Sequence, residues 1–311
     1  MTEPDSYSYS RYLTAKKTVD ARALDRQVWS EFVGSLAGRS GASTRILEVG
    51  AGVGATAERV IGALEKQSVD AVDYTLVDIE AENIEVATAS LRAWMGDHGY
   101  TITGEGGVTR SVWNGEALTV TFRFATADLF DFVAERERSL YDAIIGQALF
   151  DLLPAQEALR ALGTSLKEGG LWYLPIHFDG VTAFEPTIDA GLDAKIERLY
   201  HESMTEAAGK EGGPDGPRCG RRLLTHLRNA GAVLREAGAS DWVVFAREDG
   251  YPGDEAYFLH HVLHFIENEL RGHPALDPDV FTNWIAERRH QIDDGELIYI
   301  AHQLDVLARN P

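Results

Sequence analysis

The sequence predicts an α/β fold, a doubly wound sheet of seven strands with an N-terminal helical lid and helical insertions. Three observations carry this. Short apolar strands alternate with helical stretches between residues 44 and 178, the rhythm of a parallel sheet covered by helices. Three alternating glycines, Gly50, Gly52 and Gly54, stand between the first strand and the first helix of that series. Residues 11–37, 180–222 and 247–295 break the rhythm and carry mainly helical spacing.

The elements follow in order. Leu13, Val19, Leu24, Val28, Phe32 and Leu36 fall at helical spacing, so residues 1–43 read as a lid of one or two helices closed by the Gly38–Ser43 linker. The core, 44–178, opens with the strand Arg45–Val49, the glycine turn and the helix Thr56–Leu64. Tyr74–Val77 is the second strand and Glu82–Met95 its helix. The third strand, Leu118–Ala125, follows a hairpin predicted at Val108–Trp113, because Asn114-Gly115 suits a tight turn. Tyr141–Gly146 is the fourth strand. The helix Ala155–Ser165 stops at Lys167–Gly170, and Leu171–Ile176 is the fifth strand. Residues 179–240 form a cap segment and return helix: Ile188–Met204, the flexible Gly212–Gly220 stretch, then helical Leu223–Ala230 and Gly231–Ala237. Residues 241–311 supply a sixth strand at Trp242–Ala246 and a seventh at Leu297–Leu307. The insertion between them, 247–295, holds two helices, Asp254–Leu270 and Asp279–Gln291.

Composition bounds the function. The chain has 311 residues, 44% apolar and 25% charged, the balance of a soluble globular protein. No apolar run approaches ~18 residues, so no membrane span is expected. The segment Met1–Ser10 is polar and lacks the apolar core of a signal peptide. Cys219 is the single cysteine, which excludes an intrachain disulfide and points to a cytoplasmic protein. Flanking Arg218 and Arg221 can lower its pKa, although an incidental loop cysteine fits the pattern as well. A net charge of −20 argues against nucleic acid and anionic membrane surfaces, because phosphate binding needs a basic face. A small molecule is the natural partner. A homodimer formed through the 247–295 insertion is a further expectation.

The glycine turn is the strongest signal. Without Cβ atoms its backbone can approach a ligand closely, and the helix that follows aims free N–H groups at the turn. The next strand delivers Asp78 beside it, where a carboxylate can accept both hydroxyls of a ribose. Two cofactor classes use this layout. Gly50, Gly52 and Ala55 satisfy the dinucleotide pattern G-x-G-x-x-G/A, in which the helix start holds a pyrophosphate. The run Glu48-Val49-Gly50-Ala51-Gly52-Val53-Gly54 also matches the S-adenosylmethionine (SAM) pattern of an acidic residue followed by alternating glycines. Glu48 favours SAM: it would repel a pyrophosphate and suits an ammonium. On these residues the chain resembles the class I SAM-dependent methyltransferases, firmly over 44–178.

The resemblance implies a sheet in which only the last strand is antiparallel, SAM as cofactor, and methyl transfer to a small-molecule acceptor. It assigns cofactor contacts to Glu48, Gly50, Gly52, Gly54 and Asp78, to Ile79 on an adenine face, and to Asp128 with neighbouring Leu129 at the adenine amino group. Asp128 is equally a good helix N-cap. Gln147, in the segment that runs beneath the methionine part, offers both a donor and an acceptor. The candidate catalytic residues are His177, Asp151 and Gln147. His177 suits a general base, or is a histidine bonded to backbone at a strand end; Asp151 is a second base or a cap. Tyr12, Lys17, Asp179, Glu185 and Arg221 are substrate candidates. The N-terminal polar face also carries Lys16, Asp20 and Arg22, and Arg218 and Arg222 join Arg221 in a cluster able to clamp a carboxylate. His260, His264 and Glu267 share a helical face but match no zinc signature, so no metal is assigned. Other chemistries stay open: SAM cyclisation or aminocarboxypropyl transfer releasing methylthioadenosine, a dinucleotide oxidoreductase, or a non-catalytic SAM-binding protein.

Overall fold

The computed structural model describes residues 4, 6–39, 43–67, 69–102, 110–116, 118–135, 137–208 and 215–311. Val108 and Thr109 of the expected hairpin, residues 40–42 of the linker, and 212–214 of the Gly212–Gly220 stretch lie outside them.

The lid is three helices: α1 (Tyr9–Ala15), α2 (Lys17–Ala23) and α3 (Arg26–Ala37). Asp25 starts α3 by accepting the N–H groups of Gln27 and Val28 at 2.9 Å, which satisfies donors the helix itself leaves free. The core then runs β1 (Thr44–Val49), α4 (Ala55–Leu64), β2 (Ala71–Asp78), α5 (Ala81–Asp97), β3 (Thr101–Ile102), β4 (Arg110–Asn114), β5 (Thr119–Thr126), α6 (Leu129–Ala134), β6 (Tyr141–Ile145), α7 (Ala155–Gly163) and β7 (Leu166–Glu185). After it come α8 (Ala190–Ala208), α9 (Cys219–Asn229), β8 (Val233–Ala239), β9 (Trp242–Val244), α10 (Glu255–Leu270), α11 (Pro278–Asp293) and β10 (Ile298–Arg309).

All ten strands join one sheet in the order β3-β4-β5-β2-β1-β6-β7-β10-β8, with β9 paired to the other end of β10. The seven core strands are β5, β2, β1, β6, β7, β10 and β8. Among them β10 alone runs antiparallel to its neighbours. The β3–β4 hairpin extends the β5 edge. Neighbouring residues of β1 point to opposite faces, as the pleat requires. Ile46 joins a core with Phe32 of α3, Val60 of α4 and Leu91 of α5; Leu47 joins another with Phe132 of α6, Leu159 of α7 and Leu223 of α9. Helices thus cover both faces, the doubly wound arrangement.

A third core lies beyond the carboxyl ends of the strands. It unites Tyr12 and Val19 of the lid, Ile176 and Phe184 of β7, Ile196 of α8, Trp242, and the inner faces of α10 and α11. The 247–295 insertion is therefore packed on its own chain: Phe258, Val262 and Ile266 are buried there. Among the described residues no helix is long and apolar enough to cross a membrane.

Three expectations are corrected. Residues 233–237 are strand β8, not helix, and β8 is the sixth core strand. Leu234, Arg235, Glu236 and Ala237 are ordinary helix formers, but Gly231 at φ 86° ends α9 and a free edge of β10 stands alongside, so pairing overrides propensity. Trp242–Val244 is a short outer strand rather than the sixth. β7 continues from the expected Leu171–Ile176 out to Glu185 because β10 pairs with it along almost its whole length. The cap begins only after that arm, and Lys167–Gly170 open β7 instead of ending a helix.

Candidate functional site

The glycine turn leaves β1 with all three glycines left-handed: Gly50 at φ 62°, Gly52 at 52° and Gly54 at 79°. Side chains rarely adopt these angles, and a Cβ on Gly50 would stand 2.7 Å from the Leu149 side chain. The Gly52 N–H donates to Asp78 Oδ2 at 2.8 Å, while Glu80 N and Asn83 Nδ2 donate to Oδ1 at 3.0 and 3.1 Å. Asp78 is thereby locked at the end of β2. Its Oδ1 is filled, and Oδ2 keeps one lone pair, so the expected acceptance of two hydroxyls is reduced to one free acceptor position.

The turn walls a cleft of about 330 Å³. Glu48, Gly50, Gly52, Asp78, Ile79, Asp128, Leu129 and Gln147, eight of the sequence-selected residues, all line it. Gly54 does not; it caps α4 and packs on Ala87 and Leu91 of α5. Ile79 is 65% exposed, an apolar side chain held out at the mouth. Asp128 is the N-cap of α6, its Oδ1 accepting from Phe130 and Asp131 N–H, so the capping role is realised at a residue that also borders the cleft. Glu48 is buried and accepts the Tyr74 hydroxyl at 2.7 Å. Burial raises its pKa to about 7, against the lowering effect of that hydrogen bond.

Behind Leu152 lies a second cavity of about 500 Å³ that shares Tyr9, Lys16, Ala148 and Leu152 with the cleft. Strained backbone stands at this boundary, with Ala148 bordering both spaces and Ile176 the cavity. Ala148 (φ 48°) donates its N–H to Pro175 O at 3.1 Å, and Ile176 (φ 60°) donates to Asp305 Oδ1 at 2.8 Å. Two non-glycine residues in the left-handed region on facing segments are the kind of strain that concentrates at functional sites. Asp305 is fully buried, and its other oxygen accepts Asp25 N–H, so one carboxylate ties the strained bulge of β7 to the lid. Asp20 makes a similar tie on the cleft side: it accepts Gln147 Nε2 at 2.7 Å and Trp242 Nε1 at 2.9 Å, with Lys16 Nζ at 3.5 Å.

Of the three catalytic candidates, one reaches the cavity. Asp151 lines it; its Oδ1 is shielded from solvent and has no hydrogen-bond partner among the described residues, and burial raises its pKa. His177 is corrected from base to structural residue. It is fully buried, its Nε2 accepts Phe150 N–H at 3.2 Å, its Nδ1 bonds the Leu174 carbonyl, and burial lowers its pKa to about 3. It lines neither space. Gln147 lines the cleft, but its amide is engaged at both ends, Nε2 by Asp20 and Oε1 by Thr56 and Arg59, which leaves it unsuited to the catalytic role.

The substrate candidates divide. Tyr12 lines the cavity and stacks on His261, with ring centroids 4.7 Å apart. Lys17 points away and pairs with Glu58 at 2.9 Å. Asp179 and Arg221 pair with each other at 2.8 Å, fastening β7 to α9 outside both spaces. Glu185, exposed at the end of β7, accepts the Thr187 hydroxyl. Arg222 pairs with Asp215. Asp179, Glu185, Arg221 and Arg222 line neither the cleft nor the cavity. Cys219 is buried at the start of α9, and burial raises its pKa, which makes the thiol inert. His260, His264 and Glu267 serve separate contacts: His260 lies 3.5 Å from Asp293, His264 stacks on Tyr7, and Glu267 pairs with Arg271 and Arg289.

Sequence reasoning placed Lys16 on the polar face of the lid, and it missed Tyr9 and the β10 face of Tyr299, Ala301 and Gln303 as lining residues. Both leave a signal. Residues 9, 12 and 16 follow helical spacing, and 299, 301 and 303 follow strand alternation.

No family model matches the sequence, and no curated protein is similar to it. Solved structures do match the fold. A candidate methyltransferase from Bacillus halodurans is 14% identical, with a TM-score of 0.50 over 92% of this chain and all of that one. A candidate sarcosine dimethylglycine methyltransferase from Galdieria sulphuraria is 16% identical (TM-score 0.43; 92% of this chain, 84% of that one). A geranyl diphosphate C-methyltransferase from Streptomyces coelicolor is 12% identical (TM-score 0.43; 99% and 86%). At these identities the likeness concerns the fold alone: the chain has the class I methyltransferase fold.

Proposed function

We propose that the protein is a SAM-dependent methyltransferase that acts on a small molecule held in the cavity behind Leu152. The observation that carries this reading is the adjacency of two spaces: one walled by the left-handed Gly50 and Gly52, Glu48 and Asp78, the other by Asp151.

The cleft fits SAM by its chemistry. Buried Glu48 suits the ammonium, Asp78 a ribose hydroxyl, Ile79 and Leu129 the two faces of adenine, and Asp128 its amino group; Gly50 and Gly52 let the backbone come close. Bound SAM supplies a methyl group already activated on a sulfonium. What remains for the chain is alignment and exclusion of water. Lid residues Tyr9 and Lys16 border both spaces, Asp20 bolts the lid to Gln147 and Trp242, and Asp151 accepts the proton of the acceptor atom. A reaction confined to SAM itself needs no second cavity, so the cavity of about 500 Å³ favours transfer to a separate molecule.

Titration calorimetry with S-adenosylhomocysteine and NADH tests the cofactor; binding of NADH alone refutes the reading. With an accepted substrate, S-adenosylhomocysteine is the expected product. Methylthioadenosine would instead assign cyclisation or aminocarboxypropyl transfer.

A further inference from the structure

The cavity itself narrows the acceptor. Its walls are rich in aromatic residues, among them Tyr12, Phe178, Tyr200, Trp242, Phe265 and Tyr299. Among the described residues the charged side chains that line it are Lys16, Asp151 and Glu269. Lys16 is already committed, 3.5 Å from Asp20 and 5.4 Å above the Trp242 ring. An anionic acceptor would therefore enter without a free cation and would face two carboxylates.

Two shielded oxygens look for donors. Among the described residues Asp151 Oδ1 has no hydrogen-bond partner, and Gln303, 2% exposed, has none for its Oε1. Buried polar atoms in native proteins are nearly always satisfied, so two residues of one cavity wall that each carry an unpaired acceptor favour a ligand that brings donors. A neutral hydroxyl brings one donor and no charge. An ammonium brings several donors and the counter-charge that a buried carboxylate lacks. Aromatic faces also attract cations, and the chain's net charge of −20 steers them inward.

Resting on the reading of the adjoining cleft as the SAM site, we propose that this cavity binds an amine with an aromatic or apolar body, entering as its ammonium, and that Asp151 is the residue that holds the nitrogen and takes its proton. That transfer leaves the nitrogen with a free electron pair and Asp151 as a neutral carboxylic acid. The raised pKa of Asp151 makes it a better proton acceptor than an exposed aspartate. A volume of about 500 Å³ accommodates a one- or two-ring compound.

The test is binding, measured by calorimetry on the full chain saturated with S-adenosylhomocysteine. The probes are 2-phenylethylamine and tryptamine, the isosteric 2-phenylethanol, and 3-phenylpropionate. The amines should bind at least about tenfold more tightly than the alcohol, and the carboxylate should bind least. Asp151→Asn, close to isosteric, should bring amine and alcohol to within about threefold of each other. Equal or tighter binding of the alcohol or the carboxylate, no binding of either amine, or an amine preference that survives in Asp151→Asn overturns the assignment. The probe series on the native chain decides even where the variant does not fold. Titration with S-adenosylhomocysteine alone separates the two readings. A protein that binds it without preferring amines loses this assignment and keeps the function. One that prefers amines but ignores S-adenosylhomocysteine keeps the cavity assignment and loses the function.

Discussion

The cleft at the glycine turn draws half of its lining from two short stretches, Glu48–Thr56 and Val77–Asn83. The cavity beside it is assembled from α1, Lys16 just after it, the segment after β6, β7, α8, Gly216, β9, α10 and β10. In the cleft, backbone conformation does the work: three positive φ angles and a donor–carboxylate contact between adjacent strand ends. In the cavity, side chains do it, and they come from residues up to about 290 positions apart. The first kind of site needs a local pattern and therefore has one. The second is defined by packing, and nothing requires its residues to be near each other in the chain.

Four substitutions test how separate the two regions are. The largest effect is expected where they are joined. Asp20→Ala strips Gln147, Trp242 and Lys16 of one shared buried partner and should cost about 3–5 kcal/mol, seen by calorimetry as a fall in Tm of roughly 10 °C. Ligand binding in both spaces should weaken; a variant that lost only one would show the lid to be two independent pieces. Gly52→Val forces a β-branched residue to positive φ and disturbs the N–H that holds Asp78. SAM affinity should fall about 100-fold while the cavity keeps its ligands, and equal loss in both would break the distinction drawn here.

Glu48 supplies a pH-dependent version of the same comparison. Its pKa of about 7 means that the carboxyl takes up a proton as pH falls through neutrality and loses the charge that would hold an ammonium. SAM affinity should then drop by up to about tenfold per unit below pH 7, and Glu48→Gln should flatten the profile. The ligand-free fold has the opposite sign. A carboxyl with a raised folded pKa binds more protons folded than unfolded, so its burial penalty is relieved as pH falls from about 7 towards the unfolded value. Denaturation followed from pH 8 to pH 5 in parent and Glu48→Gln separates this contribution from that of Asp305, whose pKa is raised to about 6. The smallest effect is expected at His177. With both ring nitrogens bonded to backbone, His177→Gln should leave kcat within about threefold and the pH–rate profile without a lost limb. A drop of two orders of magnitude in kcat at unchanged stability would restore His177 as the base.

The legible part of the candidate site matches the comparison. Glu48, the glycines and Asp78 could be found because turn chemistry and strand ends leave a mark in order along the chain. His177, Lys17 and Arg221 line neither space, and Gln147 lines the cleft with its amide already engaged; a residue type states what chemistry is available, not which neighbours have already consumed it. Each is committed to partners that its residue type does not announce: His177 to Phe150 and Leu174, Gln147 to Asp20 and Arg59, Lys17 to Glu58, and Arg221 to Asp179.

By itself, then, the sequence determined the doubly wound core and the position of the ligand turn, since hydrophobic period and glycine conformation are local properties. Tertiary structure decided the strand identity of 233–239, where an unpaired edge of β10 outweighed helix propensity. It also decided that Asp151 rather than His177 meets the cavity, because the left-handed Ile176 and the long β7–β10 arm turn one side chain into the core and leave the other facing the space beneath the lid.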